Sequence, residues 1–281
     1  MKHTKIKSFA KLNLALNIVG KTSSLHKIES IVSFALLHDE IFIKEIKSKS
    51  HNIIFKGKFS KNISKNNSVA KLLKILEKKN LLKKKKFQIR INKHIPNKAG
   101  LGGGSMNAAN ILKYFVRKKF VRTSKDEIHT ISNLIGSDVI LGLNSTNSIL
   151  NIDNEIKYFT NCKKFHILIV KPNFGCSTKD IYSKVRKFDK PKLSKPYKKM
   201  FNLDNLKKMS NSLEQIAFSK YTKLRTIKSF LENLSKPAFV RMTGSGSALV
   251  AYFQSKRSCD SAKKQFNKKY KNYWCMASKT I

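Results

Sequence analysis

From Pro96 to Ala109 the chain reads Pro-Asn-Lys-Ala-Gly-Leu-Gly-Gly-Gly-Ser-Met-Asn-Ala-Ala. Four glycines, Gly100, Gly102, Gly103 and Gly104, fall within five residues and strip one side of a turn of every Cβ. Backbone N–H groups can then close on an anion, and a helix starting there aims its positive end at the same place. The chemistry this suits is phosphate binding. The run is not a P-loop, which ends in Lys followed by Ser or Thr, because Ser105 is followed by Met106. It also lacks the third glycine of the dinucleotide fingerprint. The bland alternative is a flexible turn between a strand and a helix. Two distant residues have the types that transfer chemistry needs. Lys11 stands among apolar neighbours in Phe9-Ala10-Lys11-Leu12-Asn13-Leu14, a poor place for an idle charge. Asp138, in Ile135-Gly136-Ser137-Asp138-Val139, offers a carboxylate that can take a hydroxyl proton when a cation stands beside it. Against these stand two plainer readings, a turn cap for Asp138 and one more surface lysine for Lys11.

These residues need elements to hold them. Ile6 to Val19 alternates as a strand, and Ile31–Leu37 with Glu40–Ile46 reads as a hairpin across His38-Asp39. Helical spacing runs from Val69 to Leu81, with Ser68 as N-cap. The strand-like Phe87–Ile91 precedes the glycine run, and Ala108–Phe115 continues it as a helix. Thr123–Glu127 starts another helix that ends near Gly136. A polar run at Asn144–Asn154 marks a boundary, giving domains 1–155 and 156–281. In the second half come the strand Phe165–Val170, a basic loop Lys187–Lys199, and a mostly helical stretch from Leu203 to Phe230. Two strands then flank Thr243-Gly244-Ser245-Gly246-Ser247, followed by a Lys-rich helix and a last strand near Tyr273–Ala277. The class is α+β in two halves, with antiparallel sheets rather than a βαβ series.

Composition bounds the rest. The chain has 281 residues, 41% of them hydrophobic, enough for a packed core. No apolar run reaches the roughly 20 residues of a membrane-spanning helix, and the basic start Met1–Lys7 leads into no continuous apolar stretch, so a cytoplasmic protein is expected. Net charge is +43, from 59 Lys+Arg against 16 Asp+Glu. A total of that size suits nucleic acid or another anionic partner. The excess is mostly Lys, spread along the chain with abundant Asn and Ile, as an AT-rich coding sequence produces, and compositional drift is the preferred reading. A positive field would still attract an anionic nucleotide. The cysteines Cys162, Cys176, Cys259 and Cys275 form no Cys-x-x-Cys pair and read as scattered thiols in a reducing compartment.

The segments Phe9–Leu14, Leu25-His26-Lys27-Ile28-Glu29-Ser30, Gly100–Ala109, Ile135–Val139 and Met242–Ser247, in this order, resemble the GHMP kinase superfamily over about Phe9 to Phe253. Within it the chain looks like the branch whose acceptor is a cytidine diphosphate polyol, cytidine diphosphate methylerythritol. The resemblance implies a two-domain GHMP kinase fold, with an N-terminal half like ribosomal protein S5 domain 2 and a ferredoxin-like C-terminal half. It implies ATP with nucleotide-bound Mg²⁺ and a hydroxyl attacking the γ-phosphorus. Lys11 and Asp138 match the catalytic pair. Gly100, Leu101, Gly102, Gly103, Gly104 and Ser105 match the phosphate loop, Lys93 and Asn107 other ATP contacts, and Asn67 an adenine contact. Asn13, His26, Thr178, Tyr182, Gly244 and Ser245 match the acceptor site. His26 is the cytosine-contacting position; Leu25 stands where the family has an aromatic, leaving Tyr182 to stack from the other face. Two other readings remain open: a homoserine-like or mevalonate-like alcohol as acceptor, and a non-catalytic RNA-binding protein.

Overall fold

A computed structural model describes residues 4–23 and 25–281, so Met1-Lys2-His3 of the basic N-terminus lie outside the described residues. In chain order the strands are β1 (Thr4–Lys21), β2 (His26–Ile46), β3 (Asn52–Lys56), β4 (Lys86–Asn92), β5 (Asn147–Leu150), β6 (Ile156–Phe159), β7 (His166–Lys171), β8 (Phe239–Met242), β9 (Leu249–Phe253) and β10 (Trp274–Lys279). The α-helices are α1 (Ser68–Lys78), α2 (Gly103–Arg117), α3 (Lys125–Ile135), α4 (Val139–Gly142), α5 (Thr178–Tyr182), α6 (Leu203–Lys208), α7 (Glu214–Lys220), α8 (Thr222–Glu232) and α9 (Lys256–Lys269).

The residues group into two compact units. The first takes the chain up to Lys11, then Leu37–Pro96 and Gly102–Ser145; the second takes Leu12–Leu36, Asn97–Leu101 and Thr146–Ile281. The sequence-based domains 1–155 and 156–281 divide the chain once, whereas compactness divides it five times. The reason is that β1 and β2 are long enough to give one half to each unit.

In the first unit, β2 pairs antiparallel with β4 from Glu40↔Asn92 to Ile46↔Lys86, and β3 joins β4 in parallel. The alternation of β2 and β4 sends Ile41, Ile43, Phe87, Ile89 and Ile91 to one face. There they meet Leu72, Leu73 and Leu76 of α1 and Ile111, Leu112 and Phe115 of α2. Periodicities of two and of 3.6 residues thus produce one core. In the second unit, the sheet runs β10-β7-β9-β8, antiparallel throughout. Leu224, Ile227 and Leu231 of α8 and Phe266 of α9 share its core with Leu168, Val170, Leu249 and Ala251. Within the same unit the first half of β2 pairs with β5 over Ser30↔Leu150 to Val32↔Ser148.

Two local expectations are corrected. The hairpin across His38-Asp39 does not exist: β2 runs unbroken, with Leu37, Asp39, Ile41 and Ile43 all buried on one face. Neither residue has the positive φ that a tight hairpin turn demands, and the alternation simply continues through them. The N-cap of α1 is Asn67, one residue before Ser68, and its side-chain oxygen accepts from Val69 N and Ala70 N at 3.1 Å each. Ser124 caps α3 and Gly136 ends it, at the positions their residue types predict.

Candidate active site

The glycine run is the entry to α2. Gly102 is the N-cap, left-handed at φ 65°, and Gly103, Gly104 and Ser105 form the first turn. The helix N-terminus therefore lies inside the motif, with bare backbone N–H groups there and no side-chain cap over them. A Cβ on Gly102 would stand 3.3 Å from Lys11 Cβ and 3.4 Å from Lys11 Cε, so glycine is what lets the Lys11 stem run past the loop.

Lys11 is 2% exposed. Its ammonium lies 3.2 Å from Asp138 Oδ1 and 3.1 Å from Oδ2. A lysine buried this deeply requires a counter-charge. Asp138 precedes α4 yet makes no capping hydrogen bond; its carboxylate is given to Lys11 instead. Residues 127 positions apart thus meet beside Gly102, all within the first unit. The two plainer readings, a surface lysine and a turn cap, do not describe these side chains.

A second buried cluster in the same unit joins two more of the expected residues. Lys93 forms an ion pair with Asp39, and Asn107 Nδ2 donates to Asp39 Oδ2 at 2.9 Å. Asp39 Oδ1 accepts from His94 N and Ile95 N, both at 2.8 Å. Sequence reasoning missed Asp39 by assigning it to a turn. The signal was present: it occupies the buried register of an alternating strand. Asn67 is otherwise engaged, since its oxygen caps α1 and its Nδ2 donates to Ser64 O at 3.0 Å.

Leu101 and Gly100 belong to the second unit, where the first arm of the glycine run rests on the Thr243–Ser247 turn. Thr243 Oγ1 donates to Gly100 O at 3.2 Å and accepts from Asn13 N at 3.1 Å. Asn13 is buried and donates from Nδ2 to Ser30 Oγ at 2.8 Å. A Cβ on Gly244 would lie 3.6 Å from Asn13 Oδ1. Ser245 Oγ and Thr178 Oγ1 are 2.8 Å apart. Asn211, also unforeseen, fixes this turn by donating to Met242 O and Gly244 O at 2.8 Å each. His26 and Tyr182 meet at 5.3 Å between ring centroids, inclined by 50°. Desolvation, with the Lys21 charge second, holds the His26 imidazole below the usual histidine range and so favours its neutral form. Leu25, beside it, is exposed.

Residues 67–152 match the family model of the GHMP kinases N terminal domain, and residues 197–272 that of the GHMP kinases C terminal domain. The fold is therefore that of a small-molecule kinase of this class. A 4-diphosphocytidyl-2-C-methyl-D-erythritol kinase of Pelagibacter ubique is 55% identical over 281 residues, spanning all of both chains. One of Petrotoga mobilis is 32% identical over 256 residues, covering 87% of this chain and 96% of the relative. A crystal structure of 4-(cytidine 5'-diphospho)-2C-methyl-D-erythritol kinase superposes with a TM-score of 0.79 at 20% identity, over 99% of each chain. A mevalonate kinase structure gives 0.65 at 16% identity, over 99% of each chain. The chain belongs to the GHMP kinase family, in its 4-diphosphocytidyl-2-C-methyl-D-erythritol kinase branch. Among the described residues no helix is long and apolar enough to cross a membrane.

Proposed function

We propose that this ATP-dependent kinase phosphorylates the 2-hydroxyl of 4-diphosphocytidyl-2-C-methyl-D-erythritol, a step of non-mevalonate isoprenoid precursor biosynthesis. The observation that carries the reaction is the Lys11–Asp138 ion pair beside Gly102. Phosphoryl transfer asks a protein for positioning, charge neutralisation and a proton acceptor. Asp138 is the proton acceptor, and Lys11 orients that carboxylate and polarises the attacking oxygen. The N–H groups at the start of α2 receive the phosphates, with Ser105 adding a hydroxyl donor. Lys93 and Asn107 hold the rest of the nucleotide. Magnesium would enter with ATP, because Mg²⁺ is usually bound through substrate phosphates rather than by an all-protein cage. Ser105 would touch the ion, which when bound neutralises phosphate charge.

In the second unit His26 and Tyr182 are the candidates for the cytosine ring. A neutral imidazole can donate and accept on a base edge. Asn13, Thr178, Gly244 and Ser245 form the polar turn suited to the polyol. The branch assignment supports this acceptor over a homoserine-like or mevalonate-like alcohol and over a non-catalytic RNA-binding role. Purified protein with ATP and a panel of these acceptors tests it. Turnover confined to the cytidylyl polyol is expected; equal turnover of a simple alcohol, or none with any acceptor, overturns it.

A further inference from the structure

We infer that Asp39 is the positioning residue of the nucleotide site, and that it makes Asn107 an obligate acceptor for a hydrogen-bond donor of the nucleotide. This rests on the reading of the first unit as the ATP site. Asp39 is fully buried on β2 and touches four groups, each of which donates to it. Its Oδ1 fastens the backbone at His94 and Ile95, just after β4; its Oδ2 takes Lys93 and Asn107. A carboxylate that receives an ammonium and two backbone N–H groups offers the Asn107 amide only an acceptor. The amide must therefore turn its nitrogen toward Asp39 and its oxygen away from it.

That oxygen is the informative atom. Asn107 is 1% exposed, and its Oδ1 is buried with no hydrogen-bond partner. Asn107 is the fifth residue of α2, one turn past the phosphate-binding end, so the unsatisfied acceptor belongs to the same site. A buried acceptor left bare is costly, and the group that repairs it must donate. On ATP the uncharged donors are the 6-amino group and the ribose hydroxyls. Asp39 also fixes the ammonium of Lys93, which would stand 3.2 Å from a Cβ placed on Gly103. A bare cation against the positive end of α2 would be repelled; the carboxylate offsets it. Lys93 thus serves the site as a held donor, with its charge already countered.

The test pairs variant and ligand. In Asp39→Asn, the retained carbonyl oxygen can still accept from His94 N and Ile95 N, placing the new NH₂ where Oδ2 was. Asn107 must then reverse and show its own NH₂ to the nucleotide. ATP, inosine triphosphate, 2'-deoxy-ATP and 3'-deoxy-ATP are compared by KM and kcat in both proteins. The parent should lose affinity about tenfold for the analogue that lacks the contacted donor. The variant should show a raised KM for ATP with kcat within about threefold, and that analogue's penalty should vanish or invert. Asp39→Asn combined with Lys93→Met, which buries no lone ammonium, is run alongside in case the single variant fails to fold. An equal penalty in parent and variant, or no penalised analogue in the parent, overturns the inference. A parent protein that turns over no ATP at all would instead overturn the kinase reading.

Discussion

Gly100→Ala is the sharpest test of how the phosphate loop is held. Gly100 sits at φ 71°, and a Cβ there would lie 2.0 Å from the Thr243 carbonyl oxygen, 3.0 Å from its carbon and 3.1 Å from Gly246 N. All three are backbone atoms, so no side chain can swing away. Ordinary contact begins at 3.4 Å, so the two segments must part by 3.4 − 2.0 = 1.4 Å. Parting them breaks the Thr243 Oγ1 bond to Gly100 O and strains the bonds from Ser247 N to Lys98 O and from Ala248 N to Ala99 O. The left-handed conformation alone costs an alanine about 1–2 kcal/mol, and one lost buried bond adds about 1 kcal/mol. The expected destabilisation is about 2–3 kcal/mol, a fall in Tm of roughly 3–5 °C for a chain of this size. The kinetic loss should be larger, because a misplacement of about 1 Å in a positioning element costs on the order of 100-fold in rate. The assay is a coupled ADP-release measurement of kcat/KM beside a thermal melt. Gly136→Ala is the control: its φ of 165° is extended backbone, and no atom lies within 4 Å of the added Cβ. Gly136→Ala should match the parent in both measurements. Gly100→Ala with parental kcat/KM and Tm would refute the contact on which this reasoning depends.

Other outcomes follow from the same geometry. Asp138→Asn takes away the carboxylate that faces the buried Lys11 ammonium, so it should lower Tm, and at a temperature where the variant stays folded it should lose about 10²–10⁴ in kcat; near-parental turnover would remove Asp138 from the reaction. The lowered His26 pKa keeps the imidazole neutral through neutral pH, so the acceptor KM should stay flat above the ordinary histidine range and rise as acidification protonates the ring. His26→Gln should abolish that rise, which a pH series of acceptor KM measures directly. Asn67→Ala removes the cap of α1 and should cost about 1 kcal/mol, read as a lower Tm. Burial pushes the thiols of Cys176 and Cys259 up to about 11, so iodoacetamide at pH 8 should leave both unalkylated in a mass spectrum of the folded protein.

What was legible in the sequence shares one property. The glycine run, the caps at Ser124 and Gly136 and the strands of β7, β8 and β9 all declare themselves through residues adjacent in sequence. A conformation that only glycine adopts, or a period of two, needs no knowledge of what lies opposite. Asp39, Thr243 and Asn211 do their work through partners between 2 and 230 positions away. Their types suit turns as well as cores, and β2 shows how this misleads: Asp beside His reads as a break until the pairing of Glu40 with Asn92 fixes the register. Once that register is known, a carboxylate on the buried face stands out, because burying one requires partners.

The same physics separates signal from background in the lysines. Counting could not do it, since the chain carries 59 Lys+Arg and almost any functional lysine is hidden among them. Burial does. Among the described residues Lys11 and Lys93 are the buried lysines, at 2% and 3% exposure, and each faces an aspartate. Drift in coding composition can add ammonium groups freely where water solvates them. It cannot add them to the interior, where an unpaired charge costs several kcal/mol. With 16 Asp+Glu in the whole chain, committing Asp138 and Asp39 to these two lysines draws on a scarce resource. Both pairs flank the start of α2: Lys11 passes Gly102, and Lys93 lies under Gly103. Replacing exposed lysines such as those of Lys83–Lys84 with Gln should therefore leave kcat unchanged and flatten the salt dependence of ATP capture, a screened, long-range effect. A loss of kcat in that variant would mean that the positive surface takes part in the chemistry itself.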